Sequence, residues 1–313
     1  MNLCAVALRA LCAAAALATV AIPPSRAQSP NAEVARKADA AAARGFAWEA
    51  TKNGRRVLLV GTIHVGRAAP PPPDCSHRFA QAAVIAFEAD VFDAQKVGQL
   101  VQKLATYPSH EPDLKSRLPA SLHERVEALL ARYGLDSPAI WRMKPWMLAN
   151  TLVVVEAARL GFNPAYATEA MLYQLARTCG KAIVEIEGVE RQLAIFDGTS
   201  QDLQLAYLEQ AVKGIESGES EREVRRLVEA WERRDAADIE RMLAAMRESG
   251  GAAERFVVGQ IIDGRHPTMV EAIDRYAASD KLHLVAVGSL HYFGPNGLLA
   301  LLRARGYTIK PLD

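Results

Sequence analysis

The sequence predicts an α/β fold: a central mixed sheet with strands from both chain ends, flanked by helices and carrying a large helical insertion. Three observations carry this. Apolar runs rich in β-branched residues stand near both chain ends, and two more lie between them. The centre instead spaces its apolar residues by three and four, the period of a helix with one buried face. The two outer runs also repeat one design, Val57-Leu58-Leu59-Val60-Gly61-Thr62-Ile63-His64 and Leu284-Val285-Ala286-Val287-Gly288-Ser289-Leu290-His291. Each reads as a buried strand broken by a glycine where the backbone bends, with a histidine three residues later.

In chain order, Phe46 to Ala50 and Arg56 to Val60 flank Lys52-Asn53-Gly54, a β-hairpin turn that opens the sheet. Pro70 to Pro73 form a stiff polyproline stretch, and Ser76 to Ala83 read as a helix leading into the strand Val84 to Glu88. Helical spacing then marks Asp93 to Ala105, Leu122 to Tyr133, Pro145 to Leu160 and Thr168 to Thr178, with Gly134, Gly161 and Gly180 as stops. The strand Ala182 to Glu187 follows, then a helix over Leu203 to Ile215. Ser220-Glu221-Arg222-Glu223 reads as a capping box for another helix whose stripe is Val224, Leu227, Val228 and Trp231. A terminal strand, helix and strand (His283 to Val287, Pro295 to Arg305, Tyr307 to Lys310) would close the sheet that residues 46 to 64 began.

Residues 1–27 read as a secretory signal peptide: Arg9, the apolar stretch Ala10 to Ile22, and Ser25-Arg26-Ala27 before a cut at Gln28. The apolar stretch falls short of the roughly 20 residues a bilayer needs, and Pro23-Pro24 ends it, so no membrane span is expected after cleavage. Cys12 does not make a lipoprotein signal, because Arg9 and Leu11 are wrong for a lipobox. Residues 28–44 form a polar, Ala-rich leader, and 45–313 one α/β domain in an exported protein, periplasmic where the cell has two membranes.

Removing the signal takes Arg9 and Arg26 and no acids, so 35 basic residues of 37 remain against 36 acidic ones. That balance excludes nucleic acid or an anionic membrane as the main partner. Only Cys75 and Cys179 remain of four cysteines. In an oxidising compartment one disulfide is the simplest expectation, with two buried thiols as the alternative.

His64, His291 and Glu88 share one context, the end of an apolar strand. Two imidazoles and a carboxylate can hold a divalent ion and leave room for water, which the ion would activate for amide or ester hydrolysis. Alternatively, each histidine merely caps its strand by a backbone hydrogen bond. Glu187 and Glu169 are candidate general bases or further ligands. Arg265 could anchor a carboxylate or oxyanion, or form a salt bridge within the fold. Other motifs fail. His123-Glu124-Arg125-Val126-Glu127 has Glu where a zinc-protease helix needs its second histidine, and Ser289 lacks a nucleophile elbow. No phosphate-binding glycine loop occurs. His77, His110 and His283 have no partner pattern and read as surface or packing residues.

Gly61-Thr62-Ile63-His64-Val65-Gly66, Glu88, Lys144-Pro145-Trp146, the stretch Ile186 to Asp197, and Val287-Gly288-Ser289-Leu290-His291 with Gly294 together resemble the TraB/GumN family, which includes the animal Tiki proteins. The likeness runs from about Phe46 to Pro311. It implies a fold related to the erythromycin-esterase and haem-binding ChaN-like superfamily. It also implies a core of His64, His291 and Glu88, supported by Glu187 and Arg265. Tiki members are regarded as divalent-metal-dependent proteases, so the resemblance implies manganese or cobalt, with zinc as the alternative. Two positions depart from the family pattern: Ala167-Thr168-Glu169 stands in place of Gly-x-Asp, and Arg265-His266 in place of Arg-Asn. The resulting expectation is an exported metal-dependent hydrolase acting on a peptide or protein. The alternatives are a metal-free hydrolase with His64 or His291 as base oriented by Glu88, and a non-catalytic binder of haem or a metabolite, or accessory of polysaccharide export.

Overall fold

The computed structural model describes residues 45–68 and 74–312. The signal peptide read at 1–27, the leader at 28–44 and the Pro70 to Pro73 stretch lie outside the described residues.

Asparagine followed by glycine readily adopts paired left-handed conformations, and here Asn53 and Gly54 take φ of 53° and 73°. That turn folds β1 (Phe46–Lys52) antiparallel onto β2 (Arg55–Thr62). Three further strands run parallel to β2: β3 (Val84–Phe87), β4 (Ala182–Glu185) and β5 (His283–Gly288). The last, β6 (Thr308–Pro311), pairs antiparallel with β1. The sheet order is β4-β3-β5-β2-β1-β6, so strands from both chain ends share one mixed sheet. Alternation along each strand sends Trp48, Ala50, Val57 and Leu59 into a large core on one face. Ala47, Leu58 and Val60 go into a smaller core on the other face, against Phe79, Leu172 and Leu175.

The connection from β3 to β4 carries helices α1 (Ala94–Leu104), α2 (Ala120–Tyr133), α3 (Pro145–Arg159) and α4 (Thr168–Thr178). That from β4 to β5 carries α5 (Val189–Asp197), α6 (Gln201–Glu216), α7 (Glu219–Glu232), α8 (Ala236–Glu248) and α9 (His266–Ala278). A further helix, α10 (Leu298–Ala304), precedes β6. Helix α3 is buried nearly all round, as its apolar sequence requires, and forms the axis on which α6 packs. Among the described residues no helix is long and apolar enough to cross a membrane.

Two local readings are corrected. Ser76 to Ala83 form only a single 3-10 turn, Arg78–Gln81. Ala82 is already extended and the N–H of Ala83 bonds to the carbonyl of Leu282, so sheet pairing claims the residues a helix would need. The capping box at Ser220 also does not form. Gly218, at φ 69°, turns the chain directly from α6 into α7, which leaves Ser220 inside the first turn with its hydroxyl buried and unbonded. The stripe of α7 is nonetheless as read: Val224, Leu227 and Val228 are buried, and the Trp231 indole donates to the carbonyl of Gly61 at 2.7 Å.

Cys75 and Cys179 are joined by a disulfide spanning 104 residues of sequence, which ties the loop before β3 to the end of α4.

Candidate active site at the carboxyl edge of the sheet

Parallel strands end together when their registers align, and here Thr62 lies opposite Gly288, and Phe87 opposite both Ala286 and Glu185. The carboxyl ends of β2, β3, β4 and β5 therefore form one edge, where ligands collect in open α/β sheets. His64, Glu88, Glu187 and His291 each follow one of these ends by one to three residues.

The two motif glycines serve close approach, whereas the sequence reads them as bends. Both still lie within their strands. A Cβ on Gly61 would stand 2.9 Å from the Ser289 hydroxyl oxygen and 3.2 Å from Phe46 Cβ, so the bare Cα lets β1, β2 and the Ser289 turn meet. A Cβ on Gly288 would stand 3.4 Å from Glu88 Oε1, 3.6 Å from His64 Nε2 and 3.7 Å from His291 Cδ2. His64, Glu88 and His291 thus surround one point over Gly288.

His64 is paired with Glu169. Its Nδ1 lies 2.7 Å from Glu169 Oε1, an ion-pair contact, while the other nitrogen, Nε2, lies on the side of Gly288. The partner is placed by backbone: the N–H of Thr168 donates to the carbonyl of Ile63 at 3.0 Å, and the N–H of Ile63 to the Thr168 hydroxyl at 3.4 Å. Glu169 sits in the first turn of α4, where the helix dipole favours a carboxylate.

Arg265 is the hub of the other half. Its Nε donates to Glu187 Oε2 at 2.8 Å, its Nη2 to both Glu187 and Glu88, and its Nη1 to the Ile261 carbonyl at 3.4 Å and His291 Nε2 at 3.3 Å. All five N–H groups of the guanidinium are committed to protein acceptors, which matches the salt-bridge reading of this residue. Glu88 also accepts the N–H of Gly288 at 2.6 Å and the Gln192 amide at 3.3 Å. His291 Nδ1 lies 3.1 Å from His266 Nε2.

The charges follow from these contacts. Burial opposes ionisation of Glu88, but Arg265, the two histidines and the Gly288 N–H outweigh it and hold the carboxyl down at about 2. Burial likewise opposes protonation of His64, yet Glu169, with help from Glu88, raises its pKa above the usual 6.5. His291 is pushed well below 6.5 by burial, then by Arg265 and His266, and His266 is lowered chiefly by burial. The site therefore holds one imidazole that readily takes a proton and two that do not.

For a divalent ion this donor set offers two converging atoms. His64 Nε2 and Glu88 Oε1 face one point, but His291 presents a carbon there while its Nε2 accepts from Arg265. Among the described residues no group of three or more His, Cys, Asp or Glu side chains has ligating geometry. The structure brings His64, Glu88 and His291 around one point, with Glu88 Oε2 and His291 Nε2 engaged by Arg265.

Other sequence candidates take structural places. Ser289 is buried and donates to the Thr62 carbonyl at 2.8 Å, His283 stacks on Tyr276, and His77 accepts the Phe79 N–H. Gln192 lies in the Ile186 to Asp197 stretch, and nothing in the sequence assigns it a role; its amide reaches Glu88 from the first turn of α5. Sequence reasoning paired His64 with Glu88 where the structure supplies Glu169. A cavity of about 200 Å³ lies along the same edge, walled by Phe46, Ile63, Val65, Phe79, Met171 and Trp231, and shares Ile63 and Thr168 with the backbone beside His64 and Glu169.

The sequence profile of the TraB/PrgY/gumN family matches residues 46–311. The chain belongs to this family. The TraB/PrgY/gumN match begins in β1 and ends in β6, so it takes in all six strands and every residue of the site. The chain is also similar to YbaP of Escherichia coli K12 and YbaP of Shigella flexneri, both described as uncharacterized proteins. Each is 28% identical over 164 residues, covering 50% of this chain and 59% of the relative. The matching segment thus spans about three-fifths of the length of these relatives. No solved structure matches the chain.

Proposed function

We propose that this TraB/PrgY/gumN protein is an exported hydrolase that cleaves an amide or ester bond in a peptide or protein, with His64 as general base. The observation that carries the reading is the disposition of His64, with Nδ1 2.7 Å from Glu169 and Nε2 facing the methyl-sized space over Gly288 beside Glu88. A water there gives its proton to Nε2, its oxygen attacks the substrate carbonyl, and the proton passes to the leaving group. Glu169 and Glu88 stabilise the imidazolium that forms between these steps. Arg265 keeps Glu88 ionised and in place. The cavity that shares Ile63 and Thr168 with the backbone beside the dyad has apolar walls flanked by Arg67, Arg78 and Glu232, which suits a substrate group with both apolar and charged parts.

A metal-assisted version is favoured by one observation only, the convergence of His64 Nε2 and Glu88 Oε1. Those two atoms would hold the ion, which would polarise the carbonyl and lower the pKa of its water. One experiment separates the versions. Protein purified without an affinity metal is assayed on quenched fluorescent peptides and p-nitrophenyl acetate, with and without EDTA, beside His64→Ala and His291→Ala and with elemental analysis of all three. Turnover that survives EDTA and disappears in His64→Ala is expected. Turnover lost to EDTA, with metal present in wild type and absent from His64→Ala, selects the ion-bearing version. No hydrolysis of any substrate, or equal hydrolysis by His64→Ala, overturns the assignment.

A further inference from the structure

We propose that His266 is a positioning residue that fixes His291 as its neutral Nδ1–H tautomer, making His291 the acceptor that completes the setting of Arg265. The inference goes beyond the hydrolase reading and does not depend on turnover. It begins with the donor inventory. A guanidinium has five N–H groups and no acceptor, so its contact with His291 Nε2 at 3.3 Å is a hydrogen bond only if that nitrogen carries a lone pair. The proton of a neutral His291 then sits on Nδ1. An imidazolium is excluded in this geometry, because it would turn an N–H toward the guanidinium.

His266 Nε2, 3.1 Å from His291 Nδ1, must accept that proton, and so His266 carries its own proton on Nδ1. Its Nδ1 is buried, faces the backbone of Asn296 and stands 4.0 Å from Asp263 Oδ1. Asp263 is itself held by Arg247 at 2.7 and 2.9 Å and by Asn296 at 2.9 Å. The N–H directions run one way, from Arg265 to His291 to His266 toward Asp263. Burial of His291 and His266, each 2% exposed, keeps water from supplying the alternative tautomer with partners.

The consequence divides the two strand-end histidines. His64 presents a free Nε2 to the site, whereas His291 spends both nitrogens on protein. His291 is accordingly a strut for the Arg265–Glu88 pair.

The test is 15N NMR of histidine-labelled full-chain protein, with the His291 signals assigned by their loss in His291→Gln. A protonated Nδ1 and a lone-pair Nε2 are expected for His291 in wild type. They should persist in His266→Gln, whose side-chain carbonyl can still accept. In His266→Leu the acceptor is gone and Arg265 is the one remaining restraint, so His291 should become a mixture of the Nδ1–H and Nε2–H forms. A wild-type His291 with Nε2 protonated, or an unchanged tautomer in His266→Leu, overturns the proposal. Should His266→Leu fail to fold, the wild-type spectrum and His266→Gln still decide it.

Discussion

The imidazole of His64 and the carboxylate of Glu169 meet at 2.7 Å, although one follows the second strand of the sheet and the other opens the helix that leads to β4. A base must be deprotonated to act, and this pairing raises the His64 pKa above 6.5 despite burial. Hydrolysis should therefore rise with pH around a midpoint above 6.5, and Glu169→Gln should move that midpoint to lower pH. His64→Ala should cost about 10²- to 10⁴-fold in kcat, the usual share of a general base. A pH–rate profile of the three proteins checks this.

The same pair has a stability signature. Because the folded-state pKa of His64 exceeds its unfolded value, its contribution is complete below the unfolded pKa, about 6.5. The contribution is lost as pH rises through the folded value. Denaturant midpoints measured from pH 5 to 9 should show a decline in wild type that is smaller in Glu169→Gln.

Glu88→Gln should destabilise the fold strongly. Arg265 is 3% exposed and shares its charge between Glu88 and Glu187, so removing one carboxylate leaves a buried cation half-compensated. Breaking such a pair costs about 3–5 kcal/mol, readable by urea unfolding. In wild type the carboxyl is held down at about 2, so this stabilisation is present above ordinary carboxylate pKa values and lost only as pH falls toward 2.

The two motif glycines should separate function from folding. Gly288→Ala adds a methyl at ordinary contact distances, at a φ of −51° that alanine accepts, and fills the point between His64 and Glu88. Stability should change by less than about 1 kcal/mol while hydrolysis collapses. Gly61→Ala drives its methyl to 2.9 Å from a Ser289 hydroxyl already bonded to Thr62, and overpacking of this kind costs about 1–3 kcal/mol. Thermal melts beside peptide assays distinguish the two outcomes.

Reduction, or Cys75→Ala with Cys179→Ala, should lower stability by about 2–5 kcal/mol, since the bridge closes a loop spanning 104 residues of sequence. Urea midpoints with and without dithiothreitol measure it.

Much of the sheet was legible because its strands announce themselves. The hairpin at Asn53-Gly54 has a local cause, and the apolar runs before His64, Glu88 and His291 are buried, while the edge strand before Glu187 is half-buried. Their common edge then follows from parallel pairing. What the sequence could not show was side-chain partnership across elements. Nothing in Thr168-Glu169 marks it as the mate of His64 in preference to Glu88, because that contact depends on how α4 docks against the end of β2. Arg265 and His266 reach the site after a π-helical segment, Val257–Ile262, whose wider turn no apolar spacing announces. Ser220 looked like a helix start, but a left-handed glycine two residues earlier had already begun the helix.

The middle of the sheet imposes an order on its own assembly. β2 and β3 are not paired with each other; β5 lies between them, and β5 is the fifth of the six described strands in chain order. Until residue 288 exists, the first half of the chain can form its hairpin and its helices but not a continuous sheet, and the edge that carries the site does not exist at all. Pairings so distant in sequence are slow to form, so this chain acquires its native centre only after residues 283–288 have been made. Without residues 283–291 the sheet would lose the strand that joins β2 to β3, and the site would lose the Gly288 and His291 contacts that hold Glu88 and Arg265.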